Sequence, residues 1–211
     1  LVLVFLIAPF QSAFLPYAYR HLDEPAARHL FAVVFTYFSA AVLGLALVVA
    51  VLAPEILWLL TLANPDYHTA HRYVPLLCLG MALSGIHYVF IVGLRMAKQS
   101  IQDLYIVPAG LLVNVAINLA LLPLLGLYGA ALANIAAAAT LCVLYYRAAQ
   151  RHFPVTYRLG PVAATGAGAV AAYFLATLAP AEPAVAVPFK LAVVAATAWL
   201  VYRQVLRRGD Q

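Results

Sequence analysis

An all-α fold, a polytopic bundle of membrane-spanning helices, is what this sequence predicts, on three observations. Seven long apolar stretches divide the chain, at residues 1–18, 29–53, 73–94, 104–122, 127–146, 159–178 and 186–202. Each is about long enough to cross a ~30 Å hydrocarbon core as a helix. Apolar residues make up 66% of the chain and charged ones 9%, with a mean hydropathy of +0.97. A soluble domain carries roughly a quarter charged residues, so the solvent this composition suits is lipid. Finally, of the 12 basic residues, all but Arg72 and Lys190 fall on alternate connectors.

That alternation predicts orientation. The segments 19–28, 95–103, 147–158 and 203–211 hold Arg20, Arg28, Arg95, Lys98, Arg147, Arg151, Arg158, Arg203, Arg207 and Arg208. The intervening segments 54–72, 123–126 and 179–185, with their flanks, hold only Arg72 and Lys190. By the positive-inside rule the first set, and with it the C-terminus, is cytoplasmic. The net charge of +5 is spread along membrane edges and forms no single basic face. Anionic membrane lipid is the partner such charges suit, and no nucleic-acid partner is expected. The chain starts with Leu1 in mid-hydrophobic run. With no basic n-region ahead of it, the first stretch reads as a span, not a signal peptide. The natural protein is expected to be longer.

Element by element, the first span carries Pro9 and Pro16, each of which removes a backbone bond and favours a bend. Gln11 and Ser12 follow Pro9 and offer polar company to the freed backbone. Glu24-Pro25 favours a turn or helix start in the next connector. The second span meets Pro54-Glu55, and Ile56 to Leu60 add an apolar turn or two, too short to cross alone. Trp58 and Tyr67 suit an aromatic belt, and Asn64-Pro65-Asp66 marks a turn. Residues 104–122 and 127–146 form a helical hairpin joined by the tight segment from Pro123 through Gly126 to Gly129. The small residues that follow, through Ala136–Ala139, allow close helix packing or serve as lipid-facing filler. The last two spans are rich in Ala, Gly and Val. The chain therefore divides into a core of five spans, 1–158, and a peripheral helix pair, 159–211.

Polar groups at membrane depth are costly, so each asks for a reason. Asn114 and Asn118 are four apart on one helix face, with Asn134 on the partner helix. Interhelical hydrogen bonding within the hairpin explains them, as does a polar wall for a hydrophilic substrate. His87 lies near Ser84 and Tyr88 and is either a proton-linked switch or a ring bonded to a neighbouring hydroxyl or carbonyl. Arg95 either anchors the helix end or pairs a phosphate in a cavity. Glu55 reads as an interfacial carboxylate in headgroup water. Cys78 and Cys142 sit at different depths, too far apart for a disulfide. No metal-ligand spacing, cofactor motif or hydrolytic constellation is present, so an enzyme is not expected.

The order of motifs resembles a known family. Ala8-Pro9-Phe10 and Leu15-Pro16-Tyr17-Ala18 precede a charged connector, and a long span runs into Leu52-Ala53-Pro54-Glu55-Ile56-Leu57-Trp58-Leu59-Leu60. Val74-Pro75-Leu76-Leu77 and Gly93-Leu94 frame the next span, and Asn114, Asn118, Leu122-Pro123 and Gly126-Leu127-Tyr128-Gly129-Ala130-Ala131 mark the hairpin. Together they resemble the C-terminal half of bacterial polysaccharide flippases, in the multidrug, oligosaccharidyl-lipid and polysaccharide exporter superfamily. The resemblance implies one lobe of a two-lobed transporter in the bacterial cytoplasmic membrane, lacking its N-terminal lobe. It implies transfer of undecaprenyl-diphosphate-linked oligosaccharide between leaflets by alternating access, alongside glycosyltransferases and a polymerase. On that basis Gln11, His87, Arg95, Asn114 and Asn118 line the cavity, Arg95 being nearest to a diphosphate ligand. Pro9, Pro16, Gly126, Gly129 and Asn134 serve hinging and packing. A multidrug or metabolite antiporter of the same superfamily, which calls for a membrane-embedded acid, and a non-catalytic scaffold of a polysaccharide synthesis complex are the alternatives.

Overall fold

The computed structural model describes residues 2–21, 27–61, 70–179 and 183–206. The turns expected at Glu24-Pro25 and Asn64-Pro65-Asp66, together with Tyr67, Arg207 and Arg208, lie outside the described residues. Within them the chain is helical: α1 (Val2–Arg20), α2 (Ala27–Val51), α3 (Ala53–Leu60), α4 (Val74–Met96), α5 (Asp103–Leu125), α6 (Leu127–His152), α7 (Leu159–Thr177) and α8 (Pro183–Leu206). All but α3 are long and apolar enough to cross a membrane. The protein is a multi-pass membrane protein built as an all-α bundle.

Helix α4 is the hub. It packs extensively on α6 and α2 and also touches α1. Helix α5 lies along α6, while α7 and α8 pack on each other and on α2. Lipid supplies no hydrophobic drive between helices, so close approach of backbones has to hold them. Gly80 and Gly85 of α4 provide it, against α6 and against α1 and α2 respectively. A Cβ on Gly80 would lie 2.8 Å from the Asn134 Nδ2 of α6, and one on Gly85 would lie 3.0 Å from Ile7 of α1. Gly93 faces Ala149 of α6 and the Tyr157 hydroxyl. The alanine run of α6 joins this packing, with Ala131, Ala133, Ala137 and Ala138 buried.

Aromatic rings close the Arg95 end of the bundle. Phe10 of α1 stacks on Phe38 of α2, Phe14 meets Phe31 edge-on at 5.4 Å, and Phe35, Phe90 and Tyr157 pack at 5.0–5.2 Å. Such pairs add ~0.5–1.5 kcal/mol beyond their buried area. The segment from Phe153 to Arg158 is drawn into this cluster by one side chain. The Gln150 amide donates to the Val155 carbonyl at 2.7 Å and accepts from the Val155 N–H at 2.9 Å, as a neighbouring strand would. Val155 is 2% exposed as a result.

Three boundaries differ from the sequence reading. The second span ends at Val51, and Ala53 already opens α3, with Pro54 in its first turn. Proline has no N–H to continue the α2 ladder, so the axis restarts there. Trp58, Leu59 and Leu60 remain exposed on α3, which suits a membrane boundary. The connector expected at 123–126 shrinks to Gly126. Helix α5 runs through Pro108 and Pro123 to Leu125, and α6 starts one residue after Gly126. Gly126 takes φ 56° and ψ −134°, a conformation essentially confined to glycine. Helix α6 then continues to His152, placing Arg147 and Arg151 on helix instead of loop. At the end of α4, Lys98 sits at φ 56°. Its N–H bonds the Arg95 carbonyl at 2.9 Å while the Gln99 N–H bonds the Leu94 carbonyl at 3.2 Å, the paired bonds of a Schellman stop.

Gly129 is where the hairpin closes, because a Cβ there would stand 2.4 Å from the Leu121 carbonyl oxygen, which is backbone and has no room to yield. Gly129→Ala is expected to cost roughly 1–3 kcal/mol of stability, the range for overpacking. Gly168→Ala, with nothing within 4 Å, should be neutral. Denaturant titration of the purified protein in detergent measures both, and equal midpoints would contradict the close α5–α6 contact.

Candidate functional site

The expected site residues fall on three helices, and each has a definite place. Asn114 and Asn118 stack on one face of α5, where the Asn118 Nδ2 donates to the Asn114 Oδ1 at 3.0 Å. Both are half-buried. The interhelical network expected across the hairpin does not form with Asn134. That amide faces α4, against Gly80, because the side of α6 that carries it packs on α4. The two α5 amides thus satisfy each other along one helix, and each keeps spare donor or acceptor capacity.

His87, half-buried on α4, lies with Nδ1 3.3 Å from the Leu83 carbonyl. Its ring stacks near that of Tyr145 on α6. The same carbonyl accepts from the Cys142 thiol at 3.3 Å. Cys142 and Cys78 are both free thiols. Of the two roles open to His87, this geometry is that of a ring bonded to a carbonyl. Gln11 ties α1 to α4 through its backbone, whose carbonyl accepts from the Tyr88 hydroxyl at 3.0 Å. Ser12 bonds the Ala8 carbonyl at 3.1 Å. Pro9 and Pro16 both lie inside the continuous α1.

Arg95 closes α4 and is half-buried. Sequence reasoning missed its setting. Asp103, at the start of α5, and Arg95 both lie near Tyr145, and the Asp103 Oδ1 is buried without a hydrogen-bond partner among the described residues. Arg95 therefore shares its surroundings with an acid, though the two form no ion pair. Nearby, the Tyr157 hydroxyl is also buried without a partner, and burial pushes its phenol above the ordinary tyrosine value.

Two polar cavities lie elsewhere. One, of about 630 Å³, opens at the Arg95 end between the start of α2 and the 153–158 segment, lined by His29, Thr36, Tyr37, Thr156, Tyr157 and Arg158 among others. The other, of about 490 Å³, opens at the opposite end where α2, α3, α6, α7 and α8 converge. Glu55, Arg72 and Lys190 line it. Gln11, His87, Arg95, Asn114 and Asn118 line neither cavity.

The second cavity holds a feature that the reading of Glu55 as a water-exposed carboxylate did not anticipate. Lys190, two turns into α8, pairs with the Glu55 Oε1 at 2.5 Å, the side chains being 13% and 33% exposed respectively. The Glu55 Oε2 is buried and has no partner among the described residues. A signal was available: an acid and a lysine on separate apolar segments at the same membrane depth need each other, since an unpaired charge there is expensive.

No protein-family model matches the chain, and no curated protein or solved structure matches it. Fold and composition define the class: a polytopic helical membrane protein.

Removing one member of the Glu55–Lys190 pair leaves the other charge uncompensated, whereas replacing both by apolar groups of similar size does not. Lys190→Met is expected to destabilise by on the order of 1 kcal/mol, the partial exposure holding the figure down. The double variant Glu55→Leu/Lys190→Met should recover most of that loss. Thermal unfolding in detergent measures both, and additive losses would show that the pair is not coupled.

Proposed function

We propose that this chain is part of a transporter that flips lipid-linked oligosaccharide across a bacterial cytoplasmic membrane, with its C-terminus cytoplasmic. The observation that supports this best is the Asn114–Asn118 pair on α5. Only 11% of the span containing α5 is buried, its packing being mainly on α6. Yet it carries two mid-span amides that bond each other and retain unused donors and acceptors. Hydrocarbon satisfies none of these. A polar substrate path beside α5, closed by a second helical lobe covering Leu104, Leu111, Leu112 and Leu119, accounts for both the amides and the exposed leucines.

The motif order from Ala8-Pro9 to Gly129-Ala130-Ala131 supplies the substrate class in this reading. A diphosphate-linked sugar entering from the basic end would meet Arg95 in the last turn of α4. Guanidinium suits the bidentate recognition of phosphate. The prolines of α1 supply points where the rod can flex as lobes rock.

Arg95→Glu is expected to lower surface polysaccharide about tenfold or more in cells that depend on this protein, since a lost charge-assisted contact costs ~1.5–3 kcal/mol. Membrane insertion measured in parallel should be unchanged, and full polysaccharide output from that variant excludes the phosphate role. For orientation, single cysteines at Arg72 and Arg151 in a background with Cys78→Ala and Cys142→Ala should be labelled from opposite sides of the membrane. Labelling of both from one side would overturn the topology.

A further inference from the structure

The crevice of about 490 Å³ at the Glu55 end is separate from the α5 amides and from Arg95, and its charges make a specific demand. We propose that it binds a zwitterionic aminoethyl-phosphate group, the chemistry of a phosphatidylethanolamine headgroup. Its size falls in the range of small-ligand pockets, about 300–1,000 Å³. Ala50, Val51 and Ala186 contribute apolar lining that accepts methylene groups. Lys190 spends one donor on Glu55 and has two N–H groups left. Arg72 is exposed and also lines the crevice, so two cations are available to a phosphate.

The Glu55 Oε2 selects the rest of the ligand. It is buried and unpartnered, and an ionised carboxylate oxygen is acceptor-only. Leaving it dry costs free energy, and a small shift of this side chain, which is 33% exposed, brings the oxygen to an incoming N–H donor. A simple anion would meet repulsion from Glu55. A simple cation would meet repulsion from Lys190 and Arg72. A ligand with both charges a short link apart satisfies the two halves together, phosphate on Lys190 and Arg72 and ammonium on Glu55. A quaternary ammonium carries the charge but no N–H, so it cannot bond the buried oxygen. The crevice also lies where the ends of several long apolar helices meet, which is where a headgroup of a surrounding lipid would reach.

The test reconstitutes the full chain in phosphatidylcholine nanodiscs containing equal fractions of phosphatidylethanolamine and phosphatidylglycerol, extracts it in mild detergent, and counts retained lipid by native mass spectrometry. Phosphatidylethanolamine should be retained about tenfold over phosphatidylcholine, the worth of one charge-assisted hydrogen bond. Glu55→Gln should abolish that preference at unchanged helix content. Arg72→Gln, at an exposed position, should weaken retention of phosphatidylethanolamine and provides the test if Glu55→Gln does not fold. Equal retention of the three lipids, phosphatidylglycerol above phosphatidylethanolamine, or a preference surviving both variants would overturn the proposal. Soluble phosphoethanolamine separates the sources of the group: displacement of the lipid by it supports a free metabolite as ligand, and resistance to it supports the membrane headgroup.

Discussion

Close backbone approach along α4 is the constraint on which the rest of this structure depends. Between helices in lipid, burial of apolar surface gains nothing, because acyl chains are as apolar as leucine. Contact must come from packing at short range, and α4 achieves it with glycine where each neighbour crosses. Gly80 admits Asn134 of α6, Gly85 admits Ile7 of α1 and Val42 of α2, and Gly93 admits the Tyr157 hydroxyl beside Ala149. A Cβ at Gly80 or Gly85 would force its neighbour to shift, whereas one at Gly93 would make ordinary contact. Helix α2, held to α4 in this way, in turn carries α7 and α8.

The two ends of the bundle are secured by different physics. At the Arg95 end the device is aromatic: rings from α1, α2, α4 and α6 interlock, and the Gln150 amide fastens the connector to them. Arg28 adds a cation over the Phe153 ring at 5.7 Å. At the opposite end the device is ionic. The Glu55–Lys190 contact joins α8 to the start of α3, beside a polar crevice in place of a filled core. A partly buried charged pair stabilises only while both members are present, which makes this end the more sensitive to ligands and substitution. Helix α5, with its paired amides and thin coverage, is the element least secured by its own chain, and it is the one to which the transport proposal assigns the substrate path.

Much of the architecture was legible in the linear chain. Span number and approximate limits followed from hydrophobic length, because a helix in lipid must satisfy its own backbone and therefore cover the whole core. The short helix after Pro54 and the α5–α6 hairpin were equally readable. Less legible were the details that rest on neighbours. Proline at 123 reads as a connector in isolation, but it sits in the last turns of α5, with Gly126 making the reversal by itself. Asn134 reads as a partner for Asn114 and Asn118 until the rotation of α6 turns it to Gly80. Arg95 reads as a lone cation until Asp103 is brought beside the same tyrosine.

By itself the sequence determined that this is a chain of long apolar helices, seven among the described residues, and roughly where each begins and ends, since solvent and backbone bonding impose those properties on each segment separately. Tertiary structure alone decided which polar groups meet. Glu55 and Lys190 are 135 positions apart, and although each charge on an apolar segment calls for a partner, only the fold decides that they meet. Their pairing, the unpartnered oxygen it leaves and the crevice around it exist because α2 carries α7 and α8 alongside α3. Pair energies depend on distance in space, and hydrophobic periodicity carries no information about the rotation of one helix against the next.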